Sequence, residues 1–287
     1  KSLHGHTLGA AGIIQAILMI DSMNSDFIPP IVNFEKPREG CDLQYVKNCP
    51  AKQSYDSFLS NSFAFGGNNV SVIFGKHGQN DKQRTTSNIE TGARTVITGM
   101  ACVTPLAPNK ESFLNKLSQD NLVHVNNQIL KFDRFSLSNP AFKKFQKSPL
   151  ISKFAIESVE ATLRDANYTI EDGAKIGLLW GTAKGPLKAF EKYYFGLLKD
   201  GLEFASALNF PHIVLNSVAG QVSIALGLKG CNTTAVGQFS PFQALKYASQ
   251  MIKQCRQSLF VIGGSDEISM FDEKMIKEFP YKGQTLS

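Results

Sequence analysis

From residue 94 onward, apolar runs of strand length alternate with stretches whose apolar residues recur at helical spacing. Phe154, Ile156, Val159 and Leu163 predict a helix over 152–166, and Lys175-Ile176-Gly177-Leu178-Leu179-Trp180-Gly181 predicts the strand after it. Val218, Val222 and Ala225 mark a second helix over 214–226, followed by a β-branched strand over 233–237. Leu245, Ala248, Met251 and Ile252 share one face of a helix over 242–254, with Pro241 suited to its first turn. The run Leu259-Phe260-Val261-Ile262-Gly263-Gly264 is apolar throughout, as a strand covered on both faces must be. Strands of this kind alternating with helices predict an α/β fold with a buried sheet. Thr95-Val96-Ile97-Thr98-Gly99-Met100 predicts one further strand at the start of this region.

The first 76 residues form a separate apolar stretch. Ala10, Ile13, Ile14, Ile17 and Leu18 predict a helix, Pro29-Pro30 a turn, and 69–74 a closing strand. Residues 77–93 are polar with one large aliphatic side chain, so they read as a linker. The predicted organisation is 1–76, a linker over 77–93, and 94–287.

Composition narrows the class. The chain is 43% hydrophobic and 19% charged with 21 phenylalanines, which is ample material for folded cores and unlike a disordered segment. The net charge of +6 serves solubility or provides a basic docking face for an acidic partner. Neither an arginine-rich run nor a base-stacking motif points to nucleic acid. Cys41, Cys49, Cys102, Cys231 and Cys255 are odd in number and lack CxxC spacing. They fit reduced thiols in a cytoplasmic protein better than a disulfide framework or a zinc site. The apolar run over 10–20 is too short to span a bilayer, and no signal peptide is visible. No metal site or nucleotide-binding motif is expected.

Three stretches carry candidate chemistry. In Thr233-Thr234-Ala235-Val236-Gly237-Gln238-Phe239-Ser240-Pro241 a strand passes through a tight turn into a helix. A side chain at that turn lies near the helix N-terminus, where a cysteine would ionise readily. Gln238 cannot form a thiolate or hold an acyl group, though its amide donates and accepts hydrogen bonds. In Lys1-Ser2-Leu3-His4-Gly5-His6-Thr7-Leu8-Gly9-Ala10-Ala11-Gly12 a histidine precedes small residues and a helix. It belongs either to a packed turn or to a site floor, where a neutral imidazole donates to a thioester or enolate oxygen. Asn61-Ser62-Phe63-Ala64-Phe65-Gly66-Gly67-Asn68-Asn69 is a glycine-rich turn before a strand; without GxGxxG spacing or a following helix, it reads as a tight loop.

Together these stretches resemble the β-ketoacyl-ACP synthases, the thiolase-fold condensing enzymes of fatty acid and polyketide synthesis. Residues 1–76 look like the C-terminal part of such a synthase. Lys1 and His6 match the lysine and second catalytic histidine of the family's Lys-Ser-x-x-Gly-His-Thr string, and 61–69 match its Asn-Ser-Phe-Gly-Phe-Gly-Gly-Thr-Asn loop. The resemblance makes Phe65 the gating phenylalanine; Ala64 and Asn68 depart from the usual glycine and threonine. Residues 94–287 look like the N-terminal half of a second synthase, through Asn209-Phe210-Pro211, Asn216-Ser217-Val218-Ala219-Gly220 and Gly263-Gly264-Ser265-Asp266-Glu267. In that register Gln238 occupies the nucleophile position, as in chain-length-factor subunits. The family's first catalytic histidine is absent from both pieces.

The resemblance implies a layered α-β-α-β-α thiolase-like fold, present as two incomplete pieces. It implies decarboxylative condensation of an acyl thioester with malonyl-ACP, with no permanently bound cofactor, since the phosphopantetheine arm arrives on the acyl carrier protein. The implied partners are that carrier protein and a second synthase-like unit in a pseudo-dimer or heterodimer. Residues 94–287 then either set chain length without catalysis, with Gln238 filling the cysteine site beside bulky Phe239, Ser240 and Pro241, or use Gln238 to promote malonyl-ACP decarboxylation. The chain opens inside a motif at Lys1 and is expected to be a piece of a longer protein, inactive and aggregation-prone in isolation.

Overall fold

The computed structural model describes residues 1–64, 69–76, 94–105, 107–118 and 135–278. The linker at 77–93 and Phe65 lie outside the described residues. The described residues fall into two compact units, one up to residue 76 and one from residue 94 on.

In the first unit, helix α1 (Ala11–Asn24) follows a 3-10 turn at Leu8–Ala10. Strands β1 (Phe27–Ile28) and β2 (Ala51–Lys52) pair antiparallel. So do β3 (Ser57–Phe63) and β4 (Asn69–Gly75), from Ser57 opposite Gly75 to Phe63 opposite Asn69. Helix α1 lies close against β3; a Cβ on Gly12 would sit 2.9 Å from Ser62 Oγ. The buried Ser22 hydroxyl fastens the end of α1, donating to the Phe27 carbonyl and sharing a 2.7 Å hydrogen bond with the Tyr55 hydroxyl.

The second unit contains α2 (Lys110–Ser118), α3 (Leu150–Asp165), β5 (Ile176–Thr182), α4 (Leu187–Asp200), α5 (Ser217–Leu226), β6 (Asn232–Val236), α6 (Ser240–Lys253), β7 (Leu259–Gly264) and α7 (Met270–Glu278). Three strands form a parallel sheet in the order β6-β5-β7. The central strand β5 is buried along its whole length, which explains its nearly continuous apolar sequence. Its side chains alternate between two helical layers. Ile176, Leu178 and Trp180 join Ile151, Ala155, Ile156 and Val159 of α3 with Val218, Ala219 and Val222 of α5. On the opposite face Leu179 joins Ala244 and Ala248 of α6. Each large side chain buried in this α-β-α sandwich contributes about 1.5–3 kcal/mol.

The helices and strands predicted between residues 150 and 264 are present, with ends shifted by a few residues. The strand expected at 95–100 is not: these residues have no ladder partner among the described residues. The start of the segment meets α6, where the Thr95 and Ser249 hydroxyls share a 3.2 Å hydrogen bond, and its end meets the end of α3. The Met100 N–H donates to Asp165 Oδ2 at 2.9 Å, and a Cβ on Gly99 would meet the Thr162 carbonyl oxygen at 2.6 Å. The Asp165 carboxylate, bonded also by Lys110, is held below its usual range, first by that lysine and then by the Met100 N–H.

Candidate functional site

Because β5, β6 and β7 are parallel, their C-terminal ends share one edge, the place where open α/β sheets present chemistry. Gln238 lies in the turn joining β6 to α6 at that edge. Gly237, at φ 142°, makes the turn, and its N–H donates to the Thr182 carbonyl at 2.9 Å. The Ser240 N–H then closes onto the Gly237 carbonyl at 3.2 Å, and α6 begins.

Gln238 is exposed, and among the described residues its amide has no hydrogen-bond partner. The bulk expected to crowd the site is divided. Phe239 is 69% exposed, whereas Ser240 is fully buried and its hydroxyl has no hydrogen-bond partner among the described residues. Pro241 sits down on the sheet. A Cβ on Gly181 would approach its nitrogen at 2.3 Å and one on Gly264 its Cγ at 2.7 Å, so those two glycines let the first turn of α6 reach the strand ends.

Beside this turn lies a carboxylate network that the motifs did not reveal. Asp266 accepts from Thr182 Oγ1 at 2.7 Å, from the Ala183 N–H at 3.0 Å and from the Lys184 N–H at 2.9 Å. Thr182 Oγ1 accepts in turn from the Gly185 N–H at 2.8 Å. Glu267 accepts from the Lys188 N–H in the first turn of α4, while Glu191 of α4 accepts from the Met270 and Phe271 N–H groups in the first turn of α7. The N-terminus of α4 thus receives Glu267 from the segment before α7, and the N-terminus of α7 receives Glu191 from α4, each a carboxylate at an electropositive helix end. Ser269 and Asp272 bond reciprocally, and Lys184 Nζ donates to Asp272 at 2.6 Å. Burial holds the Glu267 carboxyl above its usual range, against the opposing pull of Lys188. The Lys184 ammonium holds Asp272 below its own. The available signal was two carboxylates directly after an apolar strand, read in the sequence only as part of a matching string.

Lys1 and His6 belong to the first unit, and both are exposed. The Lys1 carbonyl accepts from the His4 and Gly5 N–H groups, and Gly5 turns the chain at φ 77°. His6 Nδ1 accepts from the Leu8 N–H at 3.1 Å, which leaves Nε2 to carry the proton of the neutral ring.

The model for "Beta-ketoacyl synthase, N-terminal domain" matches residues 127–273, just over half of the chain. The chain belongs to the beta-ketoacyl synthase family. The model for the C-terminal domain of beta-ketoacyl synthase matches residues 1–35, so the two matches run in the reverse of their named order. Two curated 3-oxoacyl-[acyl-carrier-protein] synthase 2 proteins are similar to the chain. That of Coxiella burnetii is 40% identical over 76 residues, 26% of this chain and 18% of the relative. That of Synechocystis is 43% identical over 77 residues, 27% of this chain and 18% of the relative. The chain thus spans about a fifth of the length of these beta-ketoacyl synthases. Among solved structures, the PfaC keto synthase–chain length factor aligns over 97% of this chain and 36% of its own, with TM-score 0.72 and 14% identity. The ishigamide ketosynthase/chain length factor aligns over 66% of this chain and 57% of its own, with TM-score 0.54 and 21% identity. These likenesses establish the α/β fold as that of the thiolase-like ketosynthases.

Proposed function

We propose that residues 94–287 form a non-catalytic, chain-length-factor-like unit of a condensing enzyme, and that residues 1–76 belong to a catalytic synthase unit preceding it. The observation that carries this reading is Gln238 at the turn into α6. The helix end there suits an anionic nucleophile, and the residue present can neither ionise nor carry an acyl group. Two features support the tandem order: the C-terminal-domain match precedes the N-terminal-domain match, and the chain aligns almost completely with a keto synthase–chain length factor.

In this reading the parent protein extends an acyl thioester by decarboxylative condensation with malonyl-ACP. His6, through its N–H, stabilises the developing oxyanion, and Lys1 supports it electrostatically. Phe65 gates the nucleophile. Acyl groups arrive on the phosphopantetheine arm of an acyl carrier protein. A synthase unit bearing the cysteine is the partner, at an effective concentration raised by covalent linkage.

The alternative gives Gln238 chemistry, its amide polarising a malonyl thioester to release CO2. Gln238→Ala in the protein that contains this chain separates the two. Malonyl-ACP decarboxylation measured by CO2 release stays unchanged if the unit is a partner, and falls by at least about a hundredfold if the amide supplies a transition-state hydrogen bond.

A further inference from the structure

A cleft of about 430 Å³ lies in the second unit, and no role proposed above uses it. Its wall is one side of α4, where Lys188, Lys192, Gly196 and Asp200 succeed one another at four-residue spacing. Lys147 and His212 also line the cleft, and Leu150, Leu197 and Phe204 supply apolar lining. The volume lies within the range of small-molecule sites, and the mixture of an apolar surface with a few converging polar groups is typical of them.

The charge is graded along the cleft. Lys188 lies in the first turn of α4, where the helix dipole adds positive potential, and Lys192 lies one turn farther on. Lys147, Lys188 and Lys192 make no ion pair among the described residues. Glu267 also lines this end; its carboxylate accepts from the Lys188 N–H and is attracted to the Lys188 ammonium, so it offsets part of the lysines' charge, and Lys147 and Lys192 carry the remainder. His212 Nδ1 is buried and has no hydrogen-bond partner among the described residues. Farther along α4 the lining turns apolar, and Asp200 marks the far end. The step from Lys192 to Leu197 spans about 8 Å along the axis.

Gly196 shapes the wall. It sits inside a helix, where glycine is unfavourable, yet nothing lies within 4 Å of the Cβ an alanine would add. Neither packing nor backbone conformation requires glycine there. The position keeps the wall bare where the cationic and apolar halves meet.

We infer that this cleft binds a small anionic amphiphile, its anionic group between Lys147, Lys188 and Lys192 and its alkyl part along Gly196, Leu197 and Phe204. An alkyl carboxylate and an alkyl phosphate share this chemistry. The inference is independent of the role of Gln238, so either can fail alone.

The test is calorimetric titration of the chain with decanoate, decyl phosphate, decanol and inorganic phosphate. Binding of either amphiphile at least about tenfold tighter than decanol and inorganic phosphate is expected, and the stronger of the two identifies the head group. In Lys188→Gln/Lys192→Gln, affinity falls at least about tenfold for the loss of charged contacts. Gly196→Leu fills the wall and abolishes binding while thermal unfolding is unchanged or raised, which separates blockage from misfolding. Equal affinity for decanol, or binding that survives both variants, overturns the inference.

Discussion

Thr182 joins the sheet to the carboxylate network at one hydroxyl, and Thr182→Val tests whether that hydroxyl holds the strand ends in place. The side chain is 2% exposed; it donates to Asp266 at 2.7 Å and accepts from the Gly185 N–H at 2.8 Å. Valine keeps the branched shape, so no cavity forms. The Gly185 N–H, in a buried bond, is left without an acceptor, at a cost of about 1–3 kcal/mol. The bond to Asp266 adds less, because that exposed carboxylate keeps the Ala183 and Lys184 N–H donors. The expected loss is about 2 kcal/mol. Trp180 is the single tryptophan, 1% exposed and two residues away on β5, so its fluorescence reports on this unit alone. In urea the midpoint should fall by about 1 M with an unchanged slope. Thr182→Ser should lose less, although it removes a buried methyl. An account resting on apolar burial predicts the opposite order, with valine neutral or stabilising. A valine midpoint equal to the parent's, or a serine variant weaker than valine, would refute the reasoning.

Other expectations follow from the same contacts. Gly196→Ala should raise stability by about 0.5–1 kcal/mol, since helix-interior glycine is costly and the added carbon meets nothing. Gly181→Ala should lower it by about 1–3 kcal/mol, because the added carbon overlaps the Pro241 backbone; both read out in the Trp180 midpoint. Glu267 has its folded pKa raised by burial, so its favourable contribution is present below the unfolded pKa and is lost as pH rises through the folded one. Glu267→Gln, which keeps an acceptor for the Lys188 N–H, should therefore be more stable than the parent at about pH 7, with the gain shrinking toward about pH 4. Asp272 has the opposite sign: Lys184 lowers its pKa, so its contribution is present above the ordinary aspartate range and lost on acidification through the folded pKa. Asp272→Asn should accordingly converge on the parent as pH falls in a series of urea titrations. Gln238→Ala, at an exposed position, should shift stability by less than about 0.5 kcal/mol.

The α/β class was legible because it depends on local periodicity. The uninterrupted apolar run over 175–181 requires a strand covered on both faces, and β5 is that strand. The helical spacing of Val218 and Val222 likewise marks the face that α5 buries. The turn at Gln238 was legible too, since a β-branched strand, a glycine and a proline-started helix leave few other conformations. Residues 95–100 show the limit. Their pattern suits a strand, but a strand exists only with a neighbour to share its hydrogen bonds, and that neighbour is not written in the segment.

Residue types and periodicity alone determined the layered class, the strand-turn-helix at Gln238 and the inability of that residue to act as a nucleophile. Only the tertiary structure decided that Gln238 is exposed, that Pro241 rests on Gly181 and Gly264, and that Asp266 serves Thr182 from 84 residues away. It also brought Lys147 and His212 together with Lys188 and Lys192 of α4 around one cleft. The division has a physical cause. Secondary structure follows from interactions among near neighbours in the chain, whereas burial, charge environment and partners are properties of groups brought together by the fold.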